Sequence, residues 1–113
     1  MKARKITEEE YVLCEWLILE SNRIKCNEIN KNSKVYPCGC GCSSFSFVKN
    51  IRKPWEVIVD KIWRNEKGLM NGIILYFIDE KIGGVDIYSL ESTETICTIP
   101  KINQIIQNFD ENI

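Results

Sequence analysis

The chain has 113 residues, of which 44% are hydrophobic and 27% charged, with a formal net charge of −1; this balance is typical of one globular domain rather than a disordered segment. It contains no histidine, which excludes Ser-His-Asp triads, Cys-His pairs and histidine-ligated zinc. No P-loop, nucleotide-binding glycine motif or nucleophile elbow is present either, so we expect a non-enzymatic protein with residues 1–113 in a single domain.

The first residues argue against a targeting segment. Glu8, Glu9 and Glu10 lie where a secretory signal needs apolar residues. The most apolar stretch, residues 11–19, is too short to span a bilayer and contains Glu15. We therefore expect a cytoplasmic protein without a membrane partner, in which the six cysteines are not joined in disulfides.

Residues 7–21 are predicted to form a helix. Thr7 and Glu10 fit a capping box, and the acidic first turn is favoured by the helix dipole. Two apolar stripes run along nearly opposite sides of this helix: Tyr11, Cys14, Leu17 and Ile18 on one, and Val12, Trp16 and Leu19 on the other. We expect both to be buried. The alternative is that the second stripe is kept for a partner, and the sequence leaves open whether that is a copy of the same chain.

Strands are predicted between residues 35 and 90. Shorter patterns begin at Val35 and Phe45, and residues 56–64 alternate, with Val57, Val59 and Trp63 on one face and Ile58, Asp60 and Ile62 on the other. The strongest pattern, residues 72–90, predicts a hairpin around the polar tip Asp79-Glu80-Lys81. The pair Gly83-Gly84 indicates a bulge or a close backbone approach.

A second helix is predicted after Pro100, which suits a first helical turn. Its apolar face consists of Ile102, Ile105, Ile106 and Phe109. The predicted fold class is therefore α+β, with an N-terminal helix, an antiparallel sheet of four to five strands in a meander, and a C-terminal helix.

The run Cys38-Gly39-Cys40-Gly41-Cys42 has three interpretations. In an extended strand the thiols share one face as small hydrophobes and the glycines leave the other face bare, which explains most of the pattern. Thiols two residues apart in a strand are about 6.5–7 Å apart, too far to share one zinc, so a zinc site requires a turn. The fourth ligand would then be Cys26, Cys14 or Cys97, and Cys26, Cys38, Cys40 and Cys42 are our alternative zinc ligands. The third interpretation is redox or thiolate chemistry.

Charge is distributed unevenly along the chain. Residues 1–65 carry 12 basic and 8 acidic side chains, whereas residues 66–113 carry 3 and 8. Acidic groups beside aromatic anchors suit a basic protein partner, whereas a pI near 5.5 argues against direct nucleic-acid binding. Asp86 and Tyr88 are predicted to share one strand face. Our candidate partner-binding residues are Asp79, Glu80, Asp86, Tyr88, Glu91 and Glu94.

Three features together resemble a known kind of protein. They are the capped apolar helix, the run from Cys38 to Ser43 before an apolar strand, and the hairpin ILYFIDEKIGGVDIY of residues 74–88. Over most of residues 7–100 the chain resembles small bacterial immunity proteins of contact-dependent inhibition and related polymorphic toxin systems. The resemblance implies a non-catalytic protein that binds one cognate toxin domain, often a nuclease, and blocks its active site or docking surface. It carries over no binding residue, and the weak acidity departs from immunity proteins that mimic nucleic acid.

Overall fold

The structure, a computed structural model, describes residues 2–21, 29–39, 41–49, 55–92 and 95–105. Its elements in chain order are β1 (Arg4–Lys5), α1 (Glu8–Glu20), β2 (Lys34–Pro37), β3 (Phe45–Ser46), β4 (Glu56–Arg64), β5 (Met70–Ile78) and β6 (Lys81–Ser89). A short second helix, α2, is described over residues 102–105; Ile106 and Phe109 of its predicted face lie outside the described residues. The α+β class and the N-terminal helix are confirmed.

The strands form one antiparallel sheet in the order β1-β2-β3-β6-β5-β4. The last three strands are a meander, as predicted, but the chain passes from β3 to the far edge before returning, so that β3 pairs with β6. This is a Greek-key arrangement. The prediction of four to five strands in a single meander is therefore wrong. The strand predicted from Phe45 is present as the two-residue β3, whereas β1, also of two residues, is too short for alternation to reveal it.

A capping box begins α1, as predicted. The Glu10 N–H donates to Thr7 Oγ1 (3.1 Å), and the Thr7 N–H donates to Glu10 Oε1 (2.9 Å). Arg4 donates two further bonds to the Glu10 carboxylate, of 2.8 and 2.7 Å, although Glu10 is only 2% exposed. Burial raises the pKa of Glu10, but the bonds from Arg4 and Thr7 and the Arg4 charge outweigh it and hold the pKa below its ordinary value. This carboxylate therefore fastens β1 to the start of α1.

Only one stripe of α1 is buried. Cys14 and Leu17 of the first stripe and the neighbouring Leu13 are buried in the core, with Tyr11 and Ile18 partly buried against it. Of the second stripe, Trp16 is partly buried against the core, whereas Val12 is 44% and Leu19 74% exposed. The prediction that both stripes are buried is wrong, because the helix packs on a single sheet layer and no described element covers its outer side. Among the described residues, neither α1 nor α2 is long and apolar enough to cross a membrane.

The core lies between α1 and one face of the sheet. The central strand β5 supplies Ile73, Leu75 and Phe77, each opposite an apolar residue of β6: Ile87, Val85 and Ile82. Burying a large aliphatic side chain contributes about 1.5–3 kcal/mol, so these cross-strand pairs account for much of the stability. β5 is buried on its other face as well, as its unbroken apolar sequence predicts.

The hairpin between β5 and β6 has the predicted turn and irregularity. Asp79 and Glu80 have φ values of 53° and 67°, the pattern of a two-residue type I′ turn. Tyr76 lies opposite Gly84 but Phe77 lies opposite Ile82, so Gly83 is the extra residue of a β-bulge. The bulge predicted at the glycine pair is confirmed.

A second bulge lies in β4, where the register shifts between Val57 and Val59. Val59 and Trp63 are buried against the core as predicted, but Val57 is 48% exposed. The prediction that Val57 shares their face is wrong, because one extra residue turns the preceding side chains over. Asp60 and Ile62 occupy the opposite face, as predicted, but Ile58, predicted to join them, lies at the bulge and packs against the core.

We expect Glu10→Gln to destabilise the fold by about 1–3 kcal/mol. The substitution replaces the buried carboxylate, which accepts two bonds from Arg4, with an uncharged amide that has only one accepting oxygen. Since the folded pKa of Glu10 is lowered, its stabilising effect is complete above the ordinary value near 4.5 and is lost as the pH falls through the folded pKa. The difference between wild type and variant in urea denaturation should therefore shrink in acid. Glu9→Gln, an exposed change in the same turn, is the matched control; an equal effect of both variants would contradict this role.

We expect Gly84→Ala to destabilise the protein by about 1–3 kcal/mol. A Cβ at this position would lie 2.6 Å from the Phe45 carbonyl oxygen and 2.8 Å from Ser46 Cα, so β3 would have to move away from β6. At Gly72 the three nearest atoms to an added Cβ all belong to the half-buried Tyr88 ring, which can turn aside. Thermal denaturation should show a smaller loss for Gly72→Ala, and the reverse order would refute this account.

Candidate functional site

The face of the sheet opposite α1 is the candidate site, and we call it the open face. Among the described residues no helix covers it. Its buried centre consists of Ile74, Tyr76 and Ile78 of β5, with Val48, Trp55 and Tyr88 packed against them. Three of these six residues are aromatic.

Two tyrosine rings lie flat on the open face because glycines lie opposite them. Tyr76 pairs across the strands with Gly84, and Tyr88 pairs with Gly72. A Cβ on Gly84 would lie 2.7 Å from the Tyr76 hydroxyl oxygen, and one on Gly72 would overlap the Tyr88 ring. Glycine therefore lets each ring cover backbone rather than project outward.

A cavity of about 490 Å³ opens at the β3 end of this face. Tyr36, Trp55 and Tyr76 supply aromatic walls, and Asp86 supplies a carboxylate. The rings of Trp55 and Tyr76 are 4.7 Å apart between centroids and inclined at 56°, so they make a V-shaped wall rather than a closed stack. Lys49, which is exposed, lies at the rim.

The Asp86 carboxylate is held in place by Ser44. The Ile87 N–H donates to Ser44 Oγ (2.8 Å), and Ser44 Oγ donates to Asp86 Oδ1 (2.9 Å). Burial, followed by the charges of Asp86 and Cys38, raises the pKa of Tyr76 to about 12. The raised pKa keeps the Tyr76 hydroxyl protonated at neutral pH, so the cavity places a phenol beside the Asp86 carboxylate that Ser44 contacts.

The predicted partner-binding residues are only partly brought together. Asp86 and Tyr88 share the open face, as predicted, because their β5 partners are Ile74 and Gly72. Asp60 of β4 pairs with Ile74 from the other side and so extends the acidic row. Burial, then Asp60 and Asp86, raises the pKa of Tyr88.

The remaining predicted residues lie elsewhere. Asp79 and Glu80 form the turn at one end of β6, and Glu91 follows its other end, roughly 30 Å away at about 3.3 Å per residue. Glu94 lies outside the described residues. Residues 66–113, the more acidic part of the sequence, do not form a separate surface. Their strands β5 and β6 lie in the sheet between β3 and β4, which belong to the more basic residues 1–65.

The described residues of the cysteine run lie in the connection between β2 and β3 and not in a strand. Gly39 and Gly41 have φ values of 87° and 91°, and the Cys38 N–H donates to the Ser44 carbonyl oxygen (3.2 Å), closing the β2–β3 connection. Cys38 is exposed, so the packing interpretation, with three thiols on one face of a strand, is wrong. The role of Gly39 and Gly41 is to adopt the left-handed backbone conformation that this short connection requires. They do not leave one face of a strand without side chains.

The described residues include no group of three or more potential metal ligands among His, Cys, Asp and Glu. Cys26 and Cys40 of the alternative zinc set lie outside them. Cys14 is fully buried in the core, where burial and then the Glu10 charge raise the pKa of its thiol. This thiol cannot join the exposed Cys38 as a zinc ligand without leaving the core.

The sequence interpretation missed Tyr36, Ser44, Trp55 and Tyr76 as site residues. Trp63, which the alternation of residues 56–64 places on one face with Val59, is buried in the core at 3% exposure. Trp55 instead packs on the open face. A signal for Tyr76 was present: the bulge at Gly83 places Gly84 opposite it, and a glycine opposite a tyrosine predicts a flat ring.

A carboxylate among aromatic rings attracts cationic groups, above all the planar guanidinium of arginine. This is the chemistry that the described residues of the open face assemble. The chain matches no protein-family model, no curated protein and no solved structure, so no family is assigned to it by similarity.

Proposed function

We propose that the protein is a non-catalytic immunity protein, which binds a cognate bacterial toxin domain in the cytoplasm and neutralises it stoichiometrically. The resemblance of the capped helix, the cysteine run and the hairpin to such proteins supports this proposal. So does the open face, whose aromatic and acidic residues are of the kinds that dominate protein interfaces.

The observation that carries the proposal is the cavity between Tyr36, Trp55 and Tyr76, with Asp86 at its side. An arginine or lysine of the toxin enters this cavity, lies against the ring faces and pairs with the Asp86 carboxylate. Ser44 has already oriented that carboxylate, so binding costs little side-chain ordering. A buried charged anchor of this kind commonly dominates the affinity of a protein interface.

The part of the open face beside the cavity carries two carboxylates, which suit a basic toxin surface. Asp60 and Asp86 lie on either side of Ile74, and Tyr88 continues the surface towards Ile62. A nuclease binds phosphates through lysines and arginines, so its substrate-binding surface is complementary to this acidic row. An immunity protein that covers this surface prevents the nucleic acid from binding to the nuclease. It does not need the strongly acidic surface of a nucleic-acid mimic.

We expect Asp86→Asn to raise the dissociation constant for the toxin at least about tenfold, because the cationic anchor loses its charged partner. Asp79→Asn, the same change at the hairpin tip and outside the cavity, is the matched control and should bind like wild type. The experiment is calorimetric titration with the product of the neighbouring upstream gene as the proposed toxin, together with survival of cells that express both.

Two results would count against the proposal. One is the absence of complex formation or protection with wild-type protein. The other is equal weakening by Asp79→Asn and Asp86→Asn, which would show a diffuse charge effect rather than an anchor in the cavity.

One observation favours a second candidate, a zinc-stabilised binding module. Gly39 and Gly41 have positive φ values, so the cysteine run is not an extended strand. The distance between thiols in a strand, too long for them to share one zinc, is therefore no argument against a zinc site here. For this candidate we expect one zinc per chain in protein purified without chelator, and a melting temperature that a chelator lowers. Cys40→Ser should lower the melting temperature in chelator-free buffer only; metal-free protein with an unchanged melting temperature would eliminate zinc.

A further inference from the structure

The outer edge of β4 is a feature that the proposed function does not use. β4 has nine residues and is the terminal strand of the sheet; within the described ranges no strand pairs with its outer side. Such an edge presents backbone N–H and C=O groups that readily bind another strand. The sheet can therefore be extended here.

Exposed hydrophobic side chains concentrate around this edge. Two lie on α1 and two on β4, and these four are Val12 (44% exposed), Leu19 (74%), Val57 (48%) and Ile62 (39%). Leu90 is the other large hydrophobic residue exposed among those described. Groups of this kind typically mark an interaction surface.

The exposed stripe of α1 lies on the same side as β4. Lys61 of β4 makes an ion pair with Glu20 (2.9 Å), and its ammonium lies 5.8 Å from the centroid of the Trp16 ring. Val12 and Leu19 are four residues before and three residues after Trp16, so they lie next to it on the helix surface. The stripe therefore borders the β4 edge on the core side of the sheet, while Val57 and Ile62 border the same edge on the open face.

We propose that this edge binds a second copy of the same chain, with the two β4 strands paired antiparallel about a two-fold axis at Ile62. Asp60 and Arg64 lie two residues on either side of Ile62 and share its face. The axis places Asp60 of each copy opposite Arg64 of the other and the two Ile62 side chains together. Each dimer thus contains two cross-strand ion pairs around an apolar contact.

The charge pattern selects this register and this occupant. An axis at Asp60, Lys61 or Arg64 would place two identical charges directly opposite each other, which destabilises a strand pair. An axis at Trp63 would place Ile62 opposite Arg64. Arg64 donates one exposed bond from Nη1 to the Gly68 carbonyl oxygen (3.1 Å), and its guanidinium has five N–H donors in all, enough for the new pair as well.

The dimer also accounts for the second stripe of α1. A two-fold axis perpendicular to the sheet places both helices on the same side, where the stripes with Val12 and Leu19 approach each other. Strand pairing alone buries less than the roughly 1,200–2,000 Å² of a stable interface, and the helices add apolar area. Both open faces then lie on the other side of one joined sheet, and the dimer presents two Asp86 cavities side by side.

Two charge reversals test this arrangement by sedimentation equilibrium over a concentration series. In an Asp60→Arg dimer the introduced arginine of each copy lies opposite Arg64 of the other copy. In an Arg64→Asp dimer the introduced aspartate of each copy lies opposite Asp60 of the other copy. Each variant should therefore raise the dimer dissociation constant at least about tenfold. Mixing the two variants restores both ion pairs, so a heterodimer of near wild-type affinity should form. Glu91→Arg, a charge reversal at an exposed residue after β6 and away from the β4 edge, is the matched control and should dimerise like wild type.

Circular dichroism verifies that each variant is folded, and Asp60→Asn replaces Asp60→Arg if the reversal unfolds the chain. Dimerisation of wild type with recovery on mixing would establish the interface. A wild type that stays monomeric throughout the series overturns the proposal. Dimers that tolerate both reversals, or variants that fail to recover on mixing, overturn it as well, because the copies would then meet elsewhere.

Discussion

The pairing of β5 with β6 is the constraint on which the rest of the structure depends. β5 is buried on both faces, and the single extra residue at Gly83 fixes which side chains of β6 face the core. Val85 and Ile87 therefore meet α1, while Asp86 and Tyr88 face the other way. Without that bulge the pairing would shift by one residue and exchange the two faces.

Glycine shapes both sides of this pairing. Gly84 lets the short strand β3 approach β6, because any side chain there would strike the Phe45 backbone. The same residue lets the Tyr76 ring lie flat beside the cavity. The stability of the Greek key and the shape of the open face thus rest on one small residue. The Arg4–Glu10 pair has a comparable role at the other end of the sheet, where it joins β1 to α1.

The two proposals use different surfaces of the same sheet. Binding of a toxin relies on the aromatic and acidic open face, whereas self-association relies on the edge of β4 and the outer stripe of α1. They meet at Ile62 and Asp60, which belong to both the edge strand and the open face. A dimer would therefore enlarge the surface available to a toxin rather than cover the cavity at the β3 end.

Local physical chemistry was sufficient for features written in consecutive residues. The capping box of Thr7 and Glu10, the Asp79-Glu80 turn, the glycine bulge and the shared face of Asp86 and Tyr88 follow from short-range geometry. Tertiary structure alone decided that β3 joins β6, that Val57 turns outward at a bulge, that Leu19 stays exposed and that the described residues of the cysteine run lie in a connection and not in a strand. Those outcomes depend on contacts between residues distant in the chain, whose distances a linear pattern does not specify. The cavity of Tyr36, Trp55, Tyr76 and Asp86 belongs to the same class, because four separate segments meet there.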